Sequence, residues 1–178
     1  MSTVRILIGG FGGQGIILLG QILGASAIGA GKNATFYPTY GPEMRGGTAN
    51  CAVVISDEEI GSPLATQPDV LICFNAAALE RFLPTLRTGG TLFVNSSQVR
   101  DEQIIRDDIN IVRVPANSLA DELGNPKVAN VVMLGAVTQR TGIYTLEQAE
   151  AGVLEELSAK PHLYDINKQA LVCGAEAV

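Results

Sequence analysis

Acidic residues are missing from the start of this chain, and none precedes Glu43. A complete dinucleotide fingerprint needs a carboxylate about 20 positions beyond its glycines to hold the ribose. Phe36 and Tyr37 stand where it belongs. Charge is scarce altogether: 17% of residues are charged, against 47% apolar. Such a balance implies a sheet covered on both faces, or surface buried by partner subunits. The net charge of −6 and a pI near 4.7 leave no basic stripe to meet phosphates, which excludes nucleic acid as a partner. His162 is the only histidine, and the 3 cysteines, Cys51, Cys73 and Cys173, are far apart with no C-x-x-C pair. A zinc or iron–sulfur site built by this chain alone is therefore not expected. Cys51 and Cys73 lie in apolar runs and read as small buried hydrophobes, reduced in a cytoplasmic setting. No Gly-x-Ser-x-Gly elbow offers a nucleophile. The beginning carries no secretory leader pattern. No charged residue falls between Ile6 and Gly31, a length that suits a membrane span. Its glycines divide it into strand, loop and helix instead.

What the chain does have is Gly9-Gly10-Phe11-Gly12-Gly13-Gln14-Gly15. An apolar run, Val4 to Ile8, leads in, and another, Ile16 to Leu23, leads out. The layout is strand, glycine loop, helix. Amides at the start of such a helix lack intrahelical partners and lie at the positive end of its dipole, so an anion or another chain's carbonyl suits the place. Gly10-x-Gly12-x-x-Gly15 formally fits the dinucleotide pattern. A second loop, Pro38 to Gly47, carries Tyr40, Glu43, Arg45 and Gly46. Arg45 can hold a phosphate or carboxylate bidentately, or pair with Glu43 and stiffen the loop; both readings stand.

The remaining pattern is that of an α/β protein. Strands are expected at Val4–Ile8, Asn33–Tyr37, Thr48–Ser56, Asp69–Phe74, Thr91–Val94 and Asn110–Val114. The first helix should run from about Gln14 to Ala30 and stop at Gly31. Gly20 and Gly24 share a face that can lie close on a sheet. Asn75 suits the N-cap of a helix from Ala76 to Leu83. Asp57-Glu58-Glu59 reads as a solvated turn, and Arg100 to Asp108 as surface. A short helix at Asn117–Leu123 follows the last strand. Val128 to Arg140 is apolar on most faces, so it should be buried on two sides. Thr145 and Gln148 form a capping box, and Pro161 opens the final helix. The second strand passes to the third through a loop with no helix, which makes the sheet mixed. The expectation is one domain over 1–178: three layers, α/β/α, with a mixed, mostly parallel sheet and a helical C-terminal third.

The two loops together, Gly9 to Gly15 and then Tyr40-Gly41-Pro42-Glu43-Met44-Arg45-Gly46-Gly47-Thr48-Ala49-Asn50-Cys51, resemble the gamma subunit of 2-oxoacid:ferredoxin oxidoreductases, of the 2-oxoglutarate and branched-chain type. The likeness extends over almost the whole chain, Asn75-Ala76 included. It implies a subunit of an enzyme that decarboxylates a 2-oxoacid, forms an acyl-CoA and passes electrons to ferredoxin. Thiamine diphosphate would lie between alpha and beta subunits, and iron–sulfur clusters in partner chains such as a ferredoxin-like delta subunit. This chain would bind no cofactor alone, would supply no catalytic or metal-ligating residue, and would help receive coenzyme A. The candidate cofactor-binding residues are Gly10, Gly12, Gly13, Gln14, Gly15, Tyr40, Glu43, Arg45, Gly46 and Asn75. The alternative is a stand-alone Rossmann-like nucleotide-binding dehydrogenase.

Overall fold

A computed structural model describes residues 3–40 and 48–178, with Tyr40 described through its backbone. Among these, six strands form one sheet: β1 (Thr3–Phe11), β2 (Asn33–Tyr40), β3 (Thr48–Ser56), β4 (Val70–Cys73), β5 (Thr91–Asn95) and β6 (Asn110–Val114), in the order β2-β3-β1-β4-β5-β6. β1, β4, β5 and β6 run parallel, while β3 is antiparallel to both β1 and β2. The sheet is mixed, as expected from the helix-free step between β2 and β3.

Side chains alternate between two apolar layers, as the two-residue period of a strand requires. Ile6, Ile8, Val53, Ile72 and Phe93 face one side, where they meet α1 (Ile16–Gly29), α3 (Ala116–Glu122), α4 (Ala129–Thr141), α5 (Leu146–Glu156) and α6 (Tyr164–Glu176). Leu7, Leu71, Cys73, Leu92 and Val94 face the other, where α2 (Ala76–Phe82) packs. The result is three layers with unequal covers. In α4, every residue from Ala129 to Thr138 is buried, in keeping with its lack of a polar face. The Thr145–Gln148 box closes with both bonds: Thr145 N–H donates to Gln148 Oε1 at 2.8 Å, and Gln148 N–H to Thr145 Oγ1 at 3.2 Å. Gly31, just past α1, has φ 78°, which glycine takes without strain.

Three boundaries differ from expectation. β1 continues through Gly9 and Gly10 to Phe11, paired with Asn50, Ala49 and Thr48 of β3. The glycines that argue against a strand locally are needed by its neighbours: a Cβ on Gly9 would stand 2.7 Å from the Phe82 ring, and one on Gly10 would stand 2.6 Å from Ile16 Cδ1. α1 accordingly starts at Ile16, later than Gln14. β2 runs on through Pro38 to Tyr40. Pro38 is tolerated because β2 is an edge strand with one side unpaired. Of the shared glycine face on α1, Gly20 lies close under Cys51 and Phe36, but Gly24 meets nothing within 4 Å.

Candidate functional site at the switch between beta1 and beta4

β1 and β4 are parallel neighbours, but their following helices leave to opposite faces of the sheet: α1 joins the thick layer and α2 the thin one. By the general rule for open α/β sheets, that divergence makes the carboxyl ends of the two strands the crevice where a ligand is expected. The glycine loop lines one wall and Asn75 the other. Tyr40 and Thr48, which flank the second loop, come to the same end, since Thr48 pairs with Phe11 and Tyr40 with Ala49. Glu43, Arg45 and Gly46 lie outside the described residues.

The loop proper is Gly12 to Gly15. Phe11 C=O accepts Gln14 N–H at 3.2 Å, closing a turn whose third residue, Gly13, takes φ 95°. A type II turn demands that sign at that place. A Cβ on Gly13 would meet nothing, so its requirement is for backbone conformation alone. Gly15, the N-cap of α1, has φ 76° and also lacks room: a Cβ there would stand 2.5 Å from Asn130 Nδ2. Asn130, buried in the first turn of α4, donates from Nδ2 to Gly15 C=O at 3.3 Å. Among the described residues no side chain caps α1, and its first turn carries no acidic residue, so its leading amides suit an anion. Gly10, a candidate for the loop, belongs instead to β1 beneath it.

Asn75 sits as expected at the N-cap of α2, its Oδ1 accepting Ala78 N–H at 2.8 Å. Its other end does something further: Nδ2 donates to Gln14 Oε1 at 2.9 Å, across the crevice. Gln14 Oε1 also accepts Phe11 N–H at 2.7 Å. A second carboxamide pair continues along the same edge. Asn95, fully buried at the end of β5, donates from Nδ2 to Phe74 C=O at 3.2 Å and to Asn117 Oδ1 at 2.7 Å. The described loops after β1 and β4 thus carry an amide pair and no carboxylate. Among the described residues, Arg81 of α2 reaches the flank of this end: it is exposed, with Nη1 on Thr48 Oγ1 at 2.9 Å and its guanidinium 5.1 Å from the Phe82 ring. Among the described residues this end offers backbone donors, amides and the Arg81 guanidinium, a set suited to holding a phosphate or carboxylate.

The sequence reading missed Arg81 and Asn130. Arg81 carries a weak signal, six residues past a recognisable N-cap; Asn130, 115 positions from Gly15, carries none. The cysteines read as hydrophobes are such: Cys51 and Cys73 are buried, and burial pushes the Cys51 thiol up to about 12 and that of Cys73 further. His162, Glu58 and Glu59 are exposed.

Comparison with known proteins places this geometry. The model of the pyruvate ferredoxin/flavodoxin oxidoreductase family matches residues 5–177. The chain belongs to that family. It is 39% identical over 180 residues to the 2-oxoglutarate synthase subunit KorC of Methanothermobacter marburgensis, covering 98% of this chain and 96% of that one. It is 38% identical over 175 residues to the ketoisovalerate oxidoreductase subunit VorA of the same organism, there covering 97% of this chain but only 36% of VorA. Among solved structures, the keto/oxoacid ferredoxin oxidoreductase gamma subunit of Geobacter sulfurreducens superposes with a TM-score of 0.83 at 33% identity, over 98% of this chain and 97% of that one. The resemblance carried by the two glycine-bearing loops is borne out, and the stand-alone dehydrogenase finds no support among these relatives. Family members named for two different oxoacids match this chain almost equally well. Among the described residues, no group of three or more His, Cys, Asp or Glu is placed to hold a metal ion, and no helix is long and apolar enough to cross a membrane.

Proposed function

We propose that this chain is one gamma-type domain of a cytoplasmic 2-oxoacid:ferredoxin oxidoreductase, assembling with alpha and beta subunits and a ferredoxin-like delta subunit. The complex would oxidise a 2-oxoacid to its acyl-CoA and pass the electrons to ferredoxin. Thiamine diphosphate and the iron–sulfur clusters belong to the partners. The role of this chain is to present the β1–β4 crevice to a phosphate-bearing end of coenzyme A, with Gly12, Gly13 and Gly15 supplying the approach and Arg81 a guanidinium at the rim. Tyr40, Glu43, Arg45 and Gly46 are proposed as further coenzyme A contacts on the resemblance of the second loop to that of the family. The observation that carries the reading is the start of α1, uncapped among the described residues, beside loops after β1 and β4 whose described residues hold no carboxylate.

The test is Gly13→Asp in the assembled enzyme. The position has open space around it, so the variant adds a negative charge with only a backbone cost. The KM for coenzyme A should rise about tenfold or more, with the KM for the oxoacid unchanged. An unaltered KM for coenzyme A would leave this chain a purely assembling subunit.

A further inference from the structure

The Gln14 carboxamide bridges the glycine loop and Asn75, and its orientation is fixed by its partners. Ala78 N–H can only donate, so the Asn75 atom it meets at 2.8 Å is the oxygen. The other end of Asn75 is then the amide nitrogen, which must find an acceptor, and meets Gln14 at 2.9 Å. Gln14 therefore turns its oxygen inward, and Phe11 N–H, at 2.7 Å, requires the same. Gly10 makes room for this folded-back side chain, because a Cβ there would stand 2.8 Å from Gln14 Oε1. One oxygen thus joins the end of β1 to the start of α2, with Gln14 and Asn75 61 positions apart in sequence.

We propose that Gln14 is a positioning residue for the anion site. Its oxygen fills the Phe11 amide from within, so the ligand is directed to the uncapped first turn of α1, and its bond to Asn75 fixes the spacing between the two walls of the crevice. The proposal rests on the coenzyme A reading above. It assigns Gln14 and Asn75 to holding the loop's shape, with no contact to the ligand.

The discriminating variants are Gln14→Ala and Asn75→Ser. Asn75→Ser keeps a neutral oxygen for Ala78 N–H, and so keeps the cap on α2, but is too short to reach Gln14 and adds no charge to the site. In the assembled enzyme each should raise the KM for coenzyme A about tenfold, from the loss of one or two hydrogen bonds, while kcat and the KM for the oxoacid hold. The double variant should be no worse than Gln14→Ala alone, because both break the same link. Gln14→Ala should also speed hydrogen exchange at the Phe11 amide by about tenfold in the absence of coenzyme A. Additive effects in the double variant, or an unchanged KM where Gly13→Asp raises it, would refute the positioning role and leave the site standing. If neither Gly13→Asp nor Gln14→Ala moves the KM, the coenzyme A reading falls, and the positioning role with it.

Discussion

Gly13 and Gly15 are both left-handed, but only one of them is crowded, and that difference can be measured. Alanine in the left-handed region costs about 1–2 kcal/mol relative to glycine. Gly13→Ala should cost about that much and no more, since nothing lies within 4 Å of the added Cβ. At Gly15 the same backbone cost applies, and the Cβ also meets Asn130 Nδ2 at 2.5 Å and Cγ at 2.8 Å. Asn130 is only 3% exposed and cannot swing into solvent, so either its bond to Gly15 C=O breaks or α1 and α4 move apart. Overpacking of this kind adds about 1–3 kcal/mol. The entropy that alanine removes from the unfolded chain is the same at both positions and cancels in the difference. Gly15→Ala should therefore be worse than Gly13→Ala by about 1–3 kcal/mol, read as a shift in urea midpoint at constant m. The decisive step repeats the pair in an Asn130→Gly background, which also removes the Cβ at 3.1 Å, and there the gap should close even though that background is itself less stable. Equal costs in the parent chain, or a gap that survives removal of Asn130, would refute the assignment of the Gly15 requirement to this contact.

Two further outcomes follow from the charges and thiols. Thiol reagents at pH 8 should label only Cys173 in the folded chain, and more slowly than a free cysteine. Partial burial first, then the Glu122 and Glu176 carboxylates, raise its pKa, while Cys51 and Cys73 should react only on unfolding. Asp108 accepts from Arg106 Nε at 2.8 Å and Nη2 at 2.6 Å and from Thr88 Oγ1 at 2.9 Å, and these bonds, Arg106 foremost, hold its carboxyl well below the usual carboxylate range. The stability it contributes is complete above its unfolded pKa of about 3.9 and is lost as pH falls toward its folded value. Asp108→Asn should therefore be less stable at neutral pH and show a shallower decline below about pH 4, seen in urea midpoints taken across that range.

What was legible in the sequence was what is local. Thr145 and Gln148 are three apart and cap one helix between them, and Asn75 caps a helix that starts beside it, so both could be read directly. The end of β1 could not. Gly9 and Gly10 look like loop until β3, some 40 residues on, is known to pair with them, and until Phe82 and Ile16 are known to need the space. β2 looked finished at Pro38 because the sheet order, which makes it an edge, is a property of the whole fold. The candidate site divides in the same way. Its glycines announce themselves, but Asn130 and the second bond of Asn75 join residues that only the folded chain brings together.

The sheet order also gives a physical reason why a glycine pattern so near the dinucleotide fingerprint belongs to a different kind of protein. In the dinucleotide fold the strand that ends in the ribose-binding carboxylate lies directly beside β1. Here β3 is inserted between them, antiparallel to both. Strands are spaced about 4.8 Å apart, so the end of β2 is displaced to about 10 Å from β1, beyond the reach of a ribose anchored on the glycine loop. The side chain in question does not face that loop either, because Phe36 packs inward against Gly20 of α1. A carboxylate placed at Phe36 or Tyr37 would therefore not restore nucleotide binding. The missing acid is a consequence of the topology: with β3 in that place, the crevice opens toward β4 and α2, and the loop can serve an anion that arrives with no ribose to be held on the β2 side.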